Sequence, residues 1–277
     1  MDAGVPPLVP VLDARRIACL RDALADGHWS YRENRELAAQ ILDRWPGTAA
    51  LVKGANGFHG RAAAWAVSGG TPEFRVVPAA GVIFAASGFP LRDGFHGAAQ
   101  AAAPAALFAY AEADAEAAVI SRELLAGSDP GRVCAYQASA CDPAGLLGAG
   151  EARGILARGP VMVQLQLCAQ WWPGKFAAWA VAEYARLLPP GSSLALSLVI
   201  PGGGDGAAGF MADVGRAAGR IYSRGAAEVA RWVKAADMEL VPPGVADVRG
   251  RDLGWAAAEF GRQRTVARVV GAVAVIR

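Results

Sequence analysis

Long hydrophobic runs are missing from this chain, and with them goes one class of function. Although 54% of the residues are hydrophobic, they are spread in alanine and in short runs, and no stretch approaches the roughly 20 apolar residues of a membrane span. Charge of either sign is sparse: 27 basic against 25 acidic side chains give a net charge of +2, which leaves no electrostatic footprint for nucleic acid. Cysteine and histidine are scarcer still. Cys19, Cys134, Cys141 and Cys168 form no CxxC pair, and His28, His59 and His96 stand far apart. A zinc site needs clustered ligands, so no metal is expected, and Cys134 and Cys168 read as small buried hydrophobes within strands. The opening MDAGVPPLVPVLDARR places acids before any basic residue and has no apolar core followed by a cleavage site. It therefore does not read as a signal peptide, and a cytoplasmic protein is expected.

What the chain does have is a dense central segment at 79–112, AAGVIFAASGFPLRDGFHGAAQAAAPAALFAYAE. Residues 81–86 are an apolar run of strand length, Ser87-Gly88-Phe89-Pro90 is a turn, and 95–103 is an alanine-rich helix. A second apolar run at 106–111 stops at Glu112. An acid at that distance past a glycine turn is the spacing of a nucleotide-binding βαβ unit. A buried strand, helix and strand without a ligand would read the same way.

The remaining chain continues in that alternation. Residues 1–14 form a proline-rich arm, and 15–25 and 35–44 read as helices. Helical patterns at 116–125, 144–158, 177–188, 211–220 and 226–236 are interleaved with strands at 132–136, 161–168, 193–200, 238–241 and 266–276. Residues 202–209 read as a loop. Strands alternating with helices predict a mostly parallel sheet covered on both faces, closed by an antiparallel edge pair from the last two strands. At 277 residues the chain can bury one full α/β core. We divide it into an arm and helical lid over 1–60 and an α/β domain over 61–277, together one compact unit.

The sequence resembles, from about Cys19 to Val275, a bacterial S-adenosylmethionine (SAM) methyltransferase family long known only as a domain of unknown function. That family's first strand ends Asp-Ile-Gly-Thr-Gly-Leu-Pro-Thr and is followed by Asn-Val-His-Glu-x-Ala-Gln. Here Phe84-Ala85-Ala86-Ser87-Gly88-Phe89-Pro90-Leu91 precedes Gly94-Phe95-His96-Gly97-Ala98-Ala99-Gln100. Gly88, Pro90, His96 and Gln100 match, whereas the acid has become Phe84 and the first glycine Ala86. The resemblance implies a class I methyltransferase-like (Rossmann-like), mostly parallel seven-stranded sheet with helices on both faces and an N-terminal helical lid.

It also implies where a cofactor would sit. Family Val-Asp-Asn-Asp-Pro corresponds to Ala111-Glu112-Ala113-Asp114-Ala115, so Glu112 can grip a ribose and Asp114 survives. Family Gln-Ala-Asp-Leu-Arg-Asp-Pro corresponds to Gln137-Ala138-Ser139-Ala140-Cys141-Asp142-Pro143, which puts Ser139 where an acid meets the adenine. The cofactor-binding set by resemblance is Ala86, Gly88, Glu112, Asp114 and Ser139. A hydrogen bond with a charged partner contributes about 1.5–3 kcal/mol. Losing carboxylates at Phe84 and Ser139 therefore predicts SAM or S-adenosylhomocysteine binding weaker by about two to four orders of magnitude.

Two rims of the implied pocket have become aromatic. After the fourth strand the family's Ala-Val-Leu-His-Phe-Val-Pro-Asp is Leu167-Cys168-Ala169-Gln170-Trp171-Trp172-Pro173-Gly174. In the lid, Lys-Asp-Asn is replaced by His28-Trp29-Ser30, between the matching Gly27 and aromatic Tyr31, with Asp22 also matching. Trp29, Phe84, Trp171 and Trp172 are candidate substrate contacts, since Trp supplies large flat apolar area. A packed strand-to-helix corner is the other reading of Trp171 and Trp172. His28, Tyr31, His59 and Gln170 are candidate catalytic groups. A surface position is the alternative for His28 and His59, and a packing anchor for Tyr31.

No nucleophile triad is legible, because Ala85-Ala86-Ser87-Gly88-Phe89 lacks the first glycine of a nucleophile elbow. The leading expectation is a small-molecule biosynthetic enzyme on a SAM-methyltransferase-like scaffold that promotes a cyclisation, isomerisation or similar rearrangement of an apolar or aromatic substrate. A SAM-dependent small-molecule methyltransferase and a non-catalytic partner subunit are the alternatives. No nucleic-acid or membrane partner is expected, and a homodimer is allowed.

Overall fold

The computed structural model describes residues 13–86, 89–90, 95–202, 206–248 and 266–277. In chain order the elements are α1 (Ala14–Leu24), α2 (Arg32–Arg44), α3 (Thr48–Ser68), β1 (Gly81–Ala86), α4 (Phe95–Ala102), β2 (Leu107–Glu112), α5 (Ala115–Leu124) and β3 (Val133–Gln137). Then come α6 (Pro143–Gly148), α7 (Gly150–Leu156), β4 (Val161–Gln166), a 3-10 turn (Ala169–Trp171), α8 (Gly174–Leu187) and β5 (Ser193–Pro201). The chain ends with α9 (Gly206–Ala218), α10 (Ala226–Ala235), β6 (Met238–Leu240), β7 (Ala246–Asp247) and β8 (Ala267–Ile276).

The strands form one sheet in the order β3-β2-β1-β4-β5-β8-β6. β1 to β5 run parallel, and β8 runs antiparallel to both β5 and β6. Among the described residues the sheet has eight strands where seven were expected, because the two-residue β7 adds a short pairing to β8 at Ala246↔Gly271. The loop expected over 202–209 is also shorter, since α9 already starts at Gly206. β1 lies between β2 and β4, with Gly81 opposite both Leu107 and Val161. The order of the strands reverses there, and the crevice at the carboxyl ends of β1 and β4 is the switch point at which ligands of such sheets bind.

Side chains alternate across the strands, so each face acquires its own core. Ile83, Leu165 and Leu196 pack in one cluster with Phe176, Val181 and Tyr184 of α8 and with Val229 and Val233 of α10. Val82, Phe84, Met162 and Val273 pack on the other face with Ala55, Phe58 and Ala62 of α3. α3 is rich in small residues, which lets it come close to the sheet. Gly271 of β8 lies directly under it: a Cβ there would stand 2.7 Å from Cε2 of Phe58. α3 runs through residue 60 without a break and stops at Gly69, whose φ of 85° is the left-handed cap that glycine adopts without strain.

α1 begins at Asp13, whose carboxylate accepts the Arg16 N–H at 2.9 Å, and buries Ile17, Leu20 and Leu24. The loop to α2 is folded around Asp22. Its carboxylate accepts the Trp29 N–H at 2.8 Å, and any Cβ on Gly27 would stand 2.0 Å from Oδ1 of Asp22. Among the described residues no helix is long and apolar enough to cross a membrane.

Gly271→Ala should overpack the α3 interface and lower unfolding free energy by about 1–3 kcal/mol. Urea denaturation checks this, with an unchanged midpoint counting against so tight an approach.

Candidate active site

β4 reads Val-Met-Val-Gln-Leu-Gln, two amides at alternate positions of an otherwise apolar strand, and both are buried. Buried amides need partners, and their N–H groups find them on α3; the Gln166 oxygen is met from α1, whereas Gln164 Oε1 has no partner among the described residues. Gln164 Nε2 donates to the His59 carbonyl at 2.8 Å, and Gln166 Nε2 donates to Asn56 Oδ1 at 2.7 Å. The Arg21 guanidinium, reaching in from α1, donates to Gln166 Oε1. On the neighbouring strand the Ser197 hydroxyl pairs with His59 Nε2 at 2.9 Å and accepts the Leu167 N–H at 3.2 Å. Leu167, at a φ of 53°, turns the chain sharply out of β4. Backbone in that region costs about 1–3 kcal/mol and persists only where surroundings hold it.

His59 is fully buried rather than on the helix surface. Burial, and then the charge of Arg21, push its pKa down to about 3 against the opposing hydrogen bond of Gln164. A ring that stays neutral through the physiological range cannot exchange protons there, so the catalytic role expected of His59 is corrected to a polar core contact. Phe84 is likewise placed elsewhere than expected. Alternation along β1 turns it under α3 and α4, where it stacks on Phe95 at 4.3 Å and meets Tyr110 at 5.6 Å and His59 at 5.8 Å. With 1% of its surface exposed, it is a core ring and not a substrate contact.

The remaining cofactor candidates gather at the carboxyl edge. Ala86 ends β1, and Gly88 lies outside the described residues. Glu112 ends β2, is buried, and accepts the Ser121 hydroxyl at 3.3 Å. Its charge also supports that of Arg21, whose pKa is lowered by burial and raised back by Cys168 and Glu112. Asp114 caps α5 by accepting the Ala117 N–H at 2.9 Å. Ser139 accepts the Cys141 N–H of its own turn at 3.1 Å.

Past β4 the chain forms the 3-10 turn that carries Gln170 and Trp171. Gln170 Oε1 accepts the Val199 N–H at 3.1 Å. The turn is clamped by Arg224, which donates to the carbonyls of Ala169, at 3.3 Å, and of Trp172. Arg224 also pairs with Glu228 at 2.8 Å and lies 4.7 Å from the Trp232 ring. Trp172 is fully buried against Phe176, 5.6 Å between ring centres, which is the packed-corner reading. Trp171 differs: with Gln170, Arg21, Leu20, Leu24 and Phe210 it lines an apolar cavity of about 50 Å³ between α1, α3, α9 and β5.

The lid residues do not reach this cavity. His28 is exposed, and Trp29 keeps 46% of its surface in solvent. The Tyr31 hydroxyl donates to Glu116 on α5, an interaction that raises its pKa. Arg15 covers the Tyr31 ring at 4.5 Å and pairs with Glu116 at 2.9 Å. Tyr31 is therefore an anchor on the outer surface, and the oxyanion donor expected there is already committed to a carboxylate. Arg21, Gln164, Gln166 and Arg224 escaped sequence reasoning. The available signals were two amides in an apolar strand, a cation on the apolar face of α1, and the i,i+4 pair Arg224 and Glu228.

Residues 12–277 match the family described as S-adenosyl methyltransferase. Among solved structures, a provisionally assigned methyltransferase of Thermobifida fusca YX is 21% identical, covers 100% of both chains and superposes with a TM-score of 0.79. A DUF574 family protein of Streptomyces avermitilis MA-4680 is 22% identical over 97% of this chain and 98% of its own, with a TM-score of 0.77. An O-methyltransferase family 2 protein of Planctomyces limnophilus in complex with apigenin is 15% identical over 92% of this chain and 65% of its own, with a TM-score of 0.52. At these identities the likeness is one of fold. No functionally curated protein matches the sequence.

Two outcomes follow from the geometry. Phe84→Asp should not restore a cofactor acid but should remove a core ring, a loss of about 3–5 kcal/mol before the buried charge is counted; denaturation curves check this, and a fully stable variant would place residue 84 at the crevice. The second concerns acid. His59 has a folded pKa of about 3 against an ordinary value of 6.5, so the unfolded chain takes up its proton first. Its contribution is complete above pH 6.5 and is lost as pH falls towards 3, by about 1.4 kcal/mol per unit. His59→Gln should flatten the stability slope between pH 6.5 and 4 by one proton.

Proposed function

Because the chain belongs to the S-adenosyl methyltransferase family, we propose that it is a small-molecule enzyme on that scaffold in which SAM binding is weakened and a rearrangement, such as a cyclisation or isomerisation, has taken the place of methyl transfer. The observation that carries this reading is Phe84. The position where the resemblance puts the first-strand carboxylate is occupied by a ring built into the aromatic core.

The crevice supports it further. Glu112 is buried and engaged with Ser121, Ser139 is bonded within its own turn, and Arg21 brings a positive charge to the end of β4. SAM carries a sulfonium cation, and a guanidinium beside the crevice disfavours it. These residues do not fit that cofactor well, so no step is routed through it. What they can do is bind and orient. The apolar wall, with Trp171 held by the Arg224 clamp, excludes water from a bound substrate. Arg21 supplies a fixed positive field against which a developing negative charge on that substrate is stabilised, and preorganised electrostatics of this kind supplies most of the rate enhancement of many enzymes.

Family membership favours a second reading, a SAM-dependent methyltransferase of small molecules, in which Glu112 would hold the ribose and Arg21 would pair with the carboxylate of the methionine end. Calorimetric titration with SAM and S-adenosylhomocysteine separates the two. The first reading expects dissociation constants about two to four orders of magnitude weaker than micromolar, whereas a micromolar or tighter constant would establish the second.

A further inference from the structure

We propose that the cavity beneath α1 binds a compact, largely apolar ligand through one hydrogen-bond acceptor, held by the indole N–H of Trp171. This deepens, and rests on, the reading of a small-molecule pocket at the carboxyl edge. Leu20, Leu24, Val52, Phe210 and Val199 give the cavity apolar walls, so transfer of an apolar group from water is favourable there. The polar groups on those walls are largely spent. The Thr48 hydroxyl donates to the Trp45 carbonyl at 2.7 Å, the Gln170 carboxamide oxygen accepts from Val199, and Arg21 donates to Gln166. The Trp171 N–H is different: it is buried, in a residue only 5% exposed, and has no partner among the described residues.

Buried donors are rarely left unmade, and each exception asks for an explanation such as an absent water or ligand. An apolar cavity is a poor host for water, which needs two to four polar partners. A ligand that is apolar over most of its surface and carries one carbonyl or ether oxygen satisfies both the walls and the donor. About 50 Å³ is less than the roughly 150 Å³ that accepts a benzene ring elsewhere, so an aromatic ligand enters as α1 moves outward. That movement takes Ile17, Leu20 and Leu24 out of the core and Ala18 and Cys19 away from Ala117 of α5, and it breaks the exposed Arg15–Glu116 pair.

Acetophenone and α-methylstyrene, which differ by an oxygen against a methylene, test the assignment. Each is titrated into the protein, into Leu24→Ala, which enlarges the cavity, and into Trp171→Phe, with the indole N–H signals followed by NMR. Both probes should bind Leu24→Ala more tightly than the unaltered chain. The Trp171 signal, identified by its loss in Trp171→Phe, should shift with acetophenone and not with α-methylstyrene. Adding Trp171→Phe to Leu24→Ala should cut the ratio of ketone to hydrocarbon affinity about 3- to 10-fold, the value of one neutral hydrogen bond. An unchanged ratio would overturn the donor, and no binding of either probe to any form would overturn the site. If Leu24→Ala does not fold, Val214→Ala opens the same cavity from α9. The SAM titration is independent of these arms: tight SAM binding with intact ketone preference removes the proposed function and leaves the pocket, and the reverse result does the opposite.

Discussion

The hydrogen bonds that Gln164 and Gln166 send from β4 to α3 decide how the rest of the crevice is arranged. Each buried amide would cost about 1–3 kcal/mol if left unpaired. The helix is therefore held at the one distance and rotation at which the His59 carbonyl and Asn56 side chain receive them. The same rotation brings His59 to Ser197, and Ser197 in turn holds Leu167 in its left-handed conformation. That turn sends the chain into the Gln170–Trp171 corner. One polar seam thus places the wall of the pocket, the end of β4 and the acceptor for Arg21.

The architecture was legible because it rests on patterns that survive in a single sequence. The apolar run at 81–86 was expected as a strand and is β1, Gly81–Ala86; Ala226–Ala235 differs from the expected helix by one residue. β7 was not legible, since a two-residue pairing has no period of its own. The site was harder to read for a related reason. Residue identity along a strand gives a face only once the neighbouring helices are known, and Phe84 falls under α3 and α4. Tyr31 and His28 were placed over the crevice by resemblance, but the loop is folded back by the Asp22 carboxylate and pinned to α5 through Glu116. Neither interaction is encoded by local spacing, because Glu116 is 85 residues away from Tyr31.

The two tryptophans show how a single residue step separates packing from binding. Trp172 and Trp171 are both almost without exposure, and both follow the strained turn at Leu167. Trp172 falls against α8 and extends the core that contains Phe176. Trp171 points instead to the side shared by α1 and α9. Arg224 fixes this difference by bonding the carbonyls of Ala169 and Trp172, with its own charge answered by Glu228 and the Trp232 ring. A buried arginine is costly unless so satisfied, and here its satisfaction is what fixes the wall.

The interactions around α1 fall into two sets with different consequences for access. On the outside, Arg15, Glu116 and Tyr31 form an exposed group, and exposed ion pairs contribute little in water and less in salt. On the inside, Arg21 is joined to Gln166, which is joined to Asn56 on α3. Separating α1 from the sheet would break the Arg21 bond and expose Ile17, Leu20 and Leu24 while leaving the Gln166–Asn56 bond intact, so its cost is one link of the polar seam plus that apolar burial. The helix that holds β4 and the wall formed by Gln170 and Trp171 are thus fixed by bonds that do not pass through α1. The cavity under α1 is bounded by the Gln170 and Trp171 wall on the sheet side and, on the α1 side, by the Arg21 guanidinium held on Gln166.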